Sequence, residues 1–315
     1  MRPGGVLRVR QNRFGAVCRY GSMNCFICPR DCGADRNGGE RGFCGCDGRI
    51  FAARAALHFW EEPIISGTRG SGAVFFSGCS LRCVYCQNRE ISRGESGKEV
   101  TPERLYDIFF ELKARGAHNI NLVTPTHYTL QLIPVLERAR QNGIGIPIVW
   151  NSGGYEKADT LRRLRGLVDV YLPDLKYISS ETASRLSGAA DYFEHASAAV
   201  DEMVSQTGRP IINRGTIRRG TVVRHLVLPG HADESIDVIG YLYRRYGDSI
   251  ILSIMSQYTP VNETPEYPEL SRTVTEEEYG KVVEYAKSIG VTQAYVQSGG
   301  AAKESFIPQF DAEGI

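Results

Sequence analysis

Three cysteines close together constrain this chain more than any other feature. Cys79, Cys83 and Cys86 have C-x3-C-x2-C spacing and come just after an apolar run at residues 73–76. The run predicts a buried strand, which puts the cysteines on a loop at its carboxyl end, where enzymes with parallel sheets place their reactive groups. Three thiolates on one loop can bind three irons of a cubic 4Fe-4S cluster and leave the fourth iron open to a small molecule.

Other uses of three neighbouring cysteines fit less well. A zinc knuckle usually combines a C-x2-C pair with a further pair of ligands, and an odd set of three does not suit a disulfide framework. The glycine before Cys79 and the aromatic Tyr85 before the third cysteine complete a pattern that resembles the radical S-adenosylmethionine (radical SAM) superfamily.

Composition favours a chain without a membrane or nucleic-acid partner. The formal net charge is +1 over 315 residues, so no overall field attracts nucleic acid. No stretch of about twenty apolar residues is present, and the first residues have no secretory pattern. Nine cysteines at short spacings then indicate metal or cluster ligation in the cytoplasm rather than disulfides.

A second cysteine group precedes the first. Its members are spaced C-x2-C-x3-C-x11-C and are Cys25, Cys28, Cys32 and Cys44, with Cys46 as an alternative to Cys44. The segment is rich in glycine and poor in apolar residues, so it cannot be stabilised by burial alone. Four sulfurs suit either zinc or a second iron-sulfur cluster, and unligated thiols are the remaining interpretation.

Strand and helix patterns alternate from residue 72 onward. Each of six apolar runs is followed by a helical segment, and residues 294–296 form a final short strand. Such a series predicts a parallel sheet with right-handed crossovers, and six units are too few to close an eight-stranded barrel. The predicted fold is therefore α/β, a partial, open parallel β/α barrel behind a small cysteine-rich module. The predicted divisions are residues 1–65, 66–300 and a tail at 301–315.

Polar residues follow five consecutive predicted strands. Because carboxyl ends of parallel strands share one rim, these residues are expected to surround the cysteine loop. The candidates for cofactor binding are Tyr85, Thr124, Thr126, His127, Asn151, Ser152, Asp174, Lys176 and Gln257. Lys176 or Arg224 can pair with the carboxylate of S-adenosylmethionine. Backbone groups after residue 123 can bind its amino group, and Asn151, Ser152, Gln257 and the Tyr85 backbone can bind its ribose or adenine.

Five phrases resemble the PflX-type radical SAM proteins, which are similar to pyruvate formate-lyase activating enzymes. The phrases are residues 28–33, 61–72, 78–88, 151–156 and 172–177. The resemblance extends from about Cys25 to Gln257 and implies that Asp174, Lys176 and Arg224 match active-site positions. One departure is that the Gly-Gly-Glu usual for activating enzymes is replaced by the residues 124–127, Thr-Pro-Thr-His.

The resemblance implies a reaction. A reduced 4Fe-4S cluster cleaves S-adenosylmethionine to methionine and a 5′-deoxyadenosyl radical, which takes a hydrogen atom from a substrate. Activating enzymes take it from a glycine of a glycyl radical enzyme; a small molecule or another peptide is the alternative substrate. An electron donor such as flavodoxin or ferredoxin is implied. A metal-binding module without catalysis is the competing function of another class.

Overall fold

The computed structural model describes residues 24–260, 264–297 and 308–315. Cys18, the arm predicted over residues 1–22 and the first part of the predicted tail lie outside these residues. The described residues form ten strands, joined in one sheet in the order β10-β9-β8-β6-β5-β4-β2-β1-β3, with β7 paired to β8. The strands are β1 (Ile50–His58), β2 (Ser71–Phe76), β3 (Lys98–Val100), β4 (Ile120–Val123), β5 (Ile148–Ser152), β6 (Val170–Pro173), β7 (Ile211–Asn213), β8 (Thr216–Leu226), β9 (Ile251–Met255) and β10 (Ala294–Val296).

Helices lie between successive strands of the sheet. They are α1 (Pro63–Ser66), α2 (Arg89–Ser92), α3 (Pro102–Ala114), α4 (Thr129–Gln141), α5 (Ala158–Arg162), α6 (Ser180–Ser187), α7 (Tyr192–Thr207), α8 (Ala232–Tyr246) and α9 (Glu276–Ser288). The predicted helix starts are confirmed where side chains cap them. Thr101 accepts a hydrogen bond from the Arg104 amide, and Thr275 and Glu278 form a reciprocal capping box.

The predicted open α/β architecture is confirmed. Strands β2, β4, β5, β6, β8, β9 and β10 pair in parallel, and six crossovers connect them. The order is linear, so among the described residues the two ends of the sheet do not join. Strands β2, β4 and β6 are buried on both faces, as continuous apolar runs predict. The carboxyl ends of the parallel strands share one rim, whereas β1 runs antiparallel to β2, so its carboxyl end lies beside the start of β2.

Strand β1 is the main element that the sequence patterns missed. Its run Ala52-Ala53-Arg54-Ala55-Ala56 has no alternation, and alanine is the best helix former. Antiparallel pairing with β2 overrides that preference, from Ala52 opposite Phe76 to His58 opposite Ser71. Short β3, short β7 and helix α6 were likewise not predicted, because three to eight residues carry too little periodicity.

The predicted division at residue 65 falls between two hydrogen-bonded strands. Because β1 pairs with β2, residues 50–58 belong to the same sheet as the predicted catalytic domain. The end of the chain also joins this edge: the Ala55 amide donates to the Glu313 carbonyl at 2.8 Å, and the Ala312 amide to the Ala53 carbonyl at 2.9 Å. The three-part division itself stays a prediction. None of the helices in the described part of the chain is long and apolar enough to cross a membrane.

Candidate active site at the carboxyl rim of the sheet

The cluster loop, residues 77–88, leaves the carboxyl end of β2. Gly78 begins it with φ +87°, and a Cβ there would lie 2.5 Å from the Cys46 sulfur, so only glycine fits. The end of α6 holds the other side of the loop. Ser187 donates from Oγ to the Cys83 sulfur at 3.0 Å and accepts at its carbonyl from the Arg82 amide at 3.2 Å.

The three thiols of the cluster loop are partly buried and interact with one another. Burial raises the pKa of Cys79 to about 12, and the neighbouring Cys83 and Cys86 thiols add to the rise. Burial also raises the pKa of Cys86, again with help from Cys83. Soft thiol ligands of this kind suit iron-sulfur clusters, which displace the protons on binding. Within the described ranges, no three His, Cys, Asp or Glu side chains are already gathered in metal-site geometry, so binding requires the thiols to reorient.

A polar network beside this loop joins residues of β4, β5 and β8 to residues that follow β1 and β6. Its centre is Arg224 on β8, which donates to Asp174 Oδ1 at 2.9 Å, to Glu61 Oε2 at 3.2 Å and to Asn151 Oδ1 at 2.6 Å. Lys176 donates to the other oxygen of Asp174 at 2.7 Å. Asn121 and Asn151 both donate to Glu61 Oε1, at 3.0 and 3.1 Å. The polar network thus consists of Glu61, Asn121, Asn151, Asp174, Lys176 and Arg224.

The charges of the polar network stabilise each other. Burial alone would raise the pKa of Asp174, but Arg224 and Lys176 outweigh it and keep that pKa below its usual value. Burial would lower the pKa of Lys176, and Asp174 raises it instead. The side chains of Asp174, Lys176 and Arg224 are 15–17% exposed, so their charges meet a partly desolvated space.

A cavity of roughly 100 Å³ lies over the polar network. Its lining comes from the carboxyl ends of the parallel strands β2, β4, β5, β8 and β9, from the cluster loop and from the end of antiparallel β1: His58, Trp60, Glu61, Phe75, Gln87, Asn88, Val123, Asn151, Arg224 and Gln257, with Pro308. Gln87 and Asn88 directly follow Cys86, so the cavity opens beside the thiols. The structure therefore brings Asn151, Arg224 and Gln257 together next to the cluster loop.

Two predicted cofactor residues have a carboxylate partner in the protein. Thr126 Oγ1 donates to Glu156 at 3.0 Å and Ser152 Oγ donates to it at 2.6 Å, while Trp150 Nε1 donates at 2.9 Å. Burial raises the pKa of Glu156. This buried cluster ties the end of β5 to the turn after β4, so the hydroxyls of Thr126 and Ser152 position the rim.

The end of β4 is strained. Thr124 has φ +59°, which is rare for a β-branched residue, and its amide donates to the Asn151 carbonyl at 2.8 Å. His127 lies behind it, with Nε2 2.7 Å from the Ser77 carbonyl. Burial lowers the pKa of His127 to about 3, so its imidazole is neutral. Through its contact with the Ser77 carbonyl, His127 supports the start of the cluster loop.

Tyr85 and Gln257 both lie near the polar network. The Tyr85 hydroxyl bonds to the Tyr177 hydroxyl, and its ring lies 6.0 Å from Lys176 Nζ. Gln257 lines the cavity and accepts from Gln297 at 2.9 Å. Tyr85 is buried, so its side chain contributes to the core beneath the loop.

The thiols of the second cysteine group also lie near one another. Burial raises the pKa of Cys28 to about 12, and the charges of Cys25, Cys44 and Cys32 each add to the rise. The Cys46 sulfur instead donates to the Ser77 carbonyl at 3.3 Å. The Cys46 thiol also lies beside the Cys44 thiol, so the prediction stays as made: a four-thiol group of Cys25, Cys28, Cys32 and Cys44, with Cys46 as the alternative to Cys44.

Three residues of this region were not assigned a role from the sequence. Glu61 follows β1 and was missed because β1 was missed. Glu156 was visible as a polar residue after a strand, but only the fold shows that three side chains donate to it. Arg36 is buried although it lies in a glycine-rich loop, and nothing in its local sequence announces that.

The chain is similar in sequence to known proteins. The Radical SAM superfamily model matches residues 73–241. An uncharacterised protein of Methanocaldococcus jannaschii is 31% identical over 284 residues, which cover 86% of this chain and 77% of the relative. The pyruvate formate-lyase-activating enzyme of Staphylococcus aureus is 24% identical over 182 residues, 53% of this chain and 65% of the enzyme.

A solved structure shares the fold. The crystal structure of Streptococcus suis SuiB bound to precursor peptide SuiA has a TM-score of 0.51 at 12% identity, over 71% of this chain. This chain matches 47% of SuiB, about half its length. The match to the family model over residues 73–241, which include the cluster loop, together with the 31% identical relative, shows that this chain belongs to the radical SAM superfamily.

Proposed function

We propose that the protein reductively cleaves S-adenosylmethionine at a 4Fe-4S cluster held by Cys79, Cys83 and Cys86. When bound, the cluster supplies one electron to the sulfonium, and cleavage yields methionine and a 5′-deoxyadenosyl radical. The observation that carries the proposal is the cluster loop at the carboxyl end of β2, beside a cavity lined by the neighbouring strand ends. Family membership implies both the cluster and S-adenosylmethionine.

The polar network suggests distinct roles for its members. Lys176 has one carboxylate partner, Asp174, so it is the better of the two cations to pair with the cofactor carboxylate. Arg224 has three partners and orients Asp174 and Asn151 around the cavity. Backbone groups at strained Thr124 bind the cofactor amino group, and Gln257 and the Tyr85 backbone contact the nucleoside. The sheltered rim keeps water from the radical.

We propose a protein glycine as the hydrogen donor, as in activating enzymes. The support is the 24% identity to a pyruvate formate-lyase-activating enzyme and an open sheet whose rim can admit a peptide loop. A flavodoxin or ferredoxin would supply the electron. The second candidate is another peptide or a small molecule, and the Thr-Pro-Thr-His turn at residues 124–127 favours it because activating enzymes carry Gly-Gly-Glu there. We further propose that the four-thiol group holds zinc or a second iron-sulfur cluster.

Release of 5′-deoxyadenosine tests the chemistry. Reconstituted, reduced protein mixed with S-adenosylmethionine is expected to release 5′-deoxyadenosine, and the Cys83→Ala variant is expected to release none. If neither protein releases 5′-deoxyadenosine, the proposal is wrong. A glycine-centred electron paramagnetic resonance signal on a co-purified partner supports the activating role; product formation without such a signal favours the second candidate.

A further inference from the structure

The cysteine-rich segment, residues 25–46, packs directly against the cluster loop. The Cys79 amide donates to the Cys44 carbonyl at 3.3 Å, so one member of each thiol group meets the other through the backbone. The absent Cβ of Gly78 lets the two segments approach, since that atom would lie 2.8 Å from the same carbonyl. The segment therefore forms one wall of the cluster loop.

Arginine side chains strengthen this contact. Arg30 stands between Cys28 and Cys32 in sequence, and its Nε donates to the Ser80 carbonyl of the cluster loop at 2.7 Å. Its other nitrogens reach the carbonyls of Ser187 and Gly188 at the end of α6. Phe43 lies between two guanidinium groups, 4.1 Å from Arg30 and 4.6 Å from Arg82. Both ends of the cysteine-rich segment thus bind the loop.

Within the four-thiol group, two of the sulfurs lie on either side of the same glycine. A Cβ on Gly42 would lie 3.2 Å from the Cys32 sulfur and 3.6 Å from the Cys44 sulfur. Buried Arg36 lies beside Cys25 and Cys44, and it donates to the carbonyls of Asp47 and His127. A buried cation next to thiols offsets the negative charge that four metal-bound thiolates would carry.

We propose that a metal centre bound by the four-thiol group positions the cluster loop, through the Cys44–Cys79 hydrogen bond and the Arg30–Ser80 hydrogen bond. The inference rests on the proposed function, because it takes Cys79 as a ligand of the radical-generating cluster. Zinc and an iron-sulfur cluster share the tetrathiolate chemistry, and either centre would order a segment too poor in apolar residues to order itself.

Metal analysis of the full chain tests the site. A variant with Cys79, Cys83 and Cys86 all changed to alanine is expected to keep one metal centre, with zinc alone or iron with acid-labile sulfide telling the two chemistries apart. Adding Cys28→Ala is expected to remove the centre, whereas adding Cys46→Ala, a buried cysteine of the same segment, leaves it. No metal in the triple variant, or equal loss with either addition, would overturn the assignment. Cleavage of S-adenosylmethionine by the unchanged protein is measured separately, so this failure leaves the proposed function standing.

Hydrogen exchange and electron paramagnetic resonance test the positioning. With the cluster cysteines intact, Cys28→Ala is expected to speed amide exchange over residues 78–86 by about tenfold or more and to alter the spectrum of the reduced cluster. Arg30→Gln keeps all four thiols, so it is expected to retain the metal and still loosen the same amides. Unchanged exchange and an unchanged spectrum in both variants would overturn the positioning role. If Cys28→Ala speeds amide exchange and Arg30→Gln does not, Arg30 has no part in positioning the cluster loop.

Discussion

Arg224 shows how much of the site depends on single side chains. Its planar guanidinium holds Asp174, Glu61 and Asn151 at once, and those partners come from three separate parts of the chain. A lysine keeps the charge but has one nitrogen at the end of a flexible stem, so it cannot reach all three.

Arg224→Lys is accordingly expected to lower 5′-deoxyadenosine formation at least about tenfold. Each lost hydrogen bond to a charged group costs about 1.5 kcal/mol or more, which is about tenfold in rate. The measurement is product formation under single-turnover conditions. Arg218→Lys on the same strand is the control and is expected to stay within about twofold. An Arg224→Lys enzyme as fast as the control would refute the role given to the network.

Glu156 gives a pH prediction. Its pKa in the folded protein is raised, so folded protein binds the proton more readily than unfolded protein does. The contribution of Glu156 to stability is therefore complete below the ordinary carboxyl pKa, about 4.3, and declines as the pH rises toward the raised value. The free energy of unfolding of the natural protein, relative to Glu156→Gln, is expected to fall between pH 5 and pH 8.

Urea unfolding at both pH values measures this difference. Glutamine can still accept from Trp150 and Thr126 and donate to Ser152, so the variant is expected to fold. Glu156→Ala instead leaves three buried donors without their acceptor and is expected to lose about 2–5 kcal/mol. A stability difference between the natural protein and Glu156→Gln that is flat with pH would contradict the raised pKa.

At the scale of elements, β1 connects the site to the last residues of the chain. It leads to Glu61 of the polar network, pairs with β2 and receives the last residues along its outer edge. Phe310 packs edge-to-face on Phe75, with 5.7 Å between ring centroids. Periodicity could not identify β1, because its partners lie elsewhere in the chain and its alanines have no strand preference of their own.

Deleting residues 310–315 is expected to lower the free energy of unfolding by about 3 kcal/mol. Two backbone hydrogen bonds and the buried part of Phe310 are lost, at about 1 kcal/mol each. Hydrogen exchange of the Ala55 amide is expected to be faster in the deletion variant. Glu313→Gln is the matched control: it weakens an ion pair with Arg54 but keeps the backbone bonds, and it is expected to cost no more than about 1 kcal/mol. If the deletion lowers the free energy of unfolding no more than Glu313→Gln does, the last residues do not stabilise β1.

At the scale of the whole molecule, the cavity brings together residues that follow β1 and β9. Trp60 is 58% exposed and lines the cavity, whereas its neighbour Phe59 is 51% exposed and faces Gly70. Both residues also line a second cavity, but of the two only Trp60 lines the cavity beside the cluster loop. Only Trp60 is placed to meet a substrate that approaches the rim.

Trp60→Ala is expected to reduce radical transfer to a partner several-fold and to leave cleavage of S-adenosylmethionine without partner within about threefold. Loss of an aromatic contact at a binding surface typically costs about 1–2 kcal/mol. The readout is the yield of partner radical per 5′-deoxyadenosine. Phe59→Ala is the control and is expected to leave that ratio unchanged; equal effects of the two variants would remove the rim from substrate binding.

The sequence by itself determined the parts of this protein whose signal is local. Cysteine spacing, six alternating apolar and amphipathic segments and the capping residues predicted the superfamily and the open parallel sheet, because each depends on neighbours a few positions apart. Tertiary structure alone decided the rest. Glu61 and Arg224 are 163 positions apart. The residues that pair with β1 also lie elsewhere in the chain, although some of them are less distant. The packing of Cys44 on Cys79 likewise follows from strand pairing and burial, which no local pattern encodes.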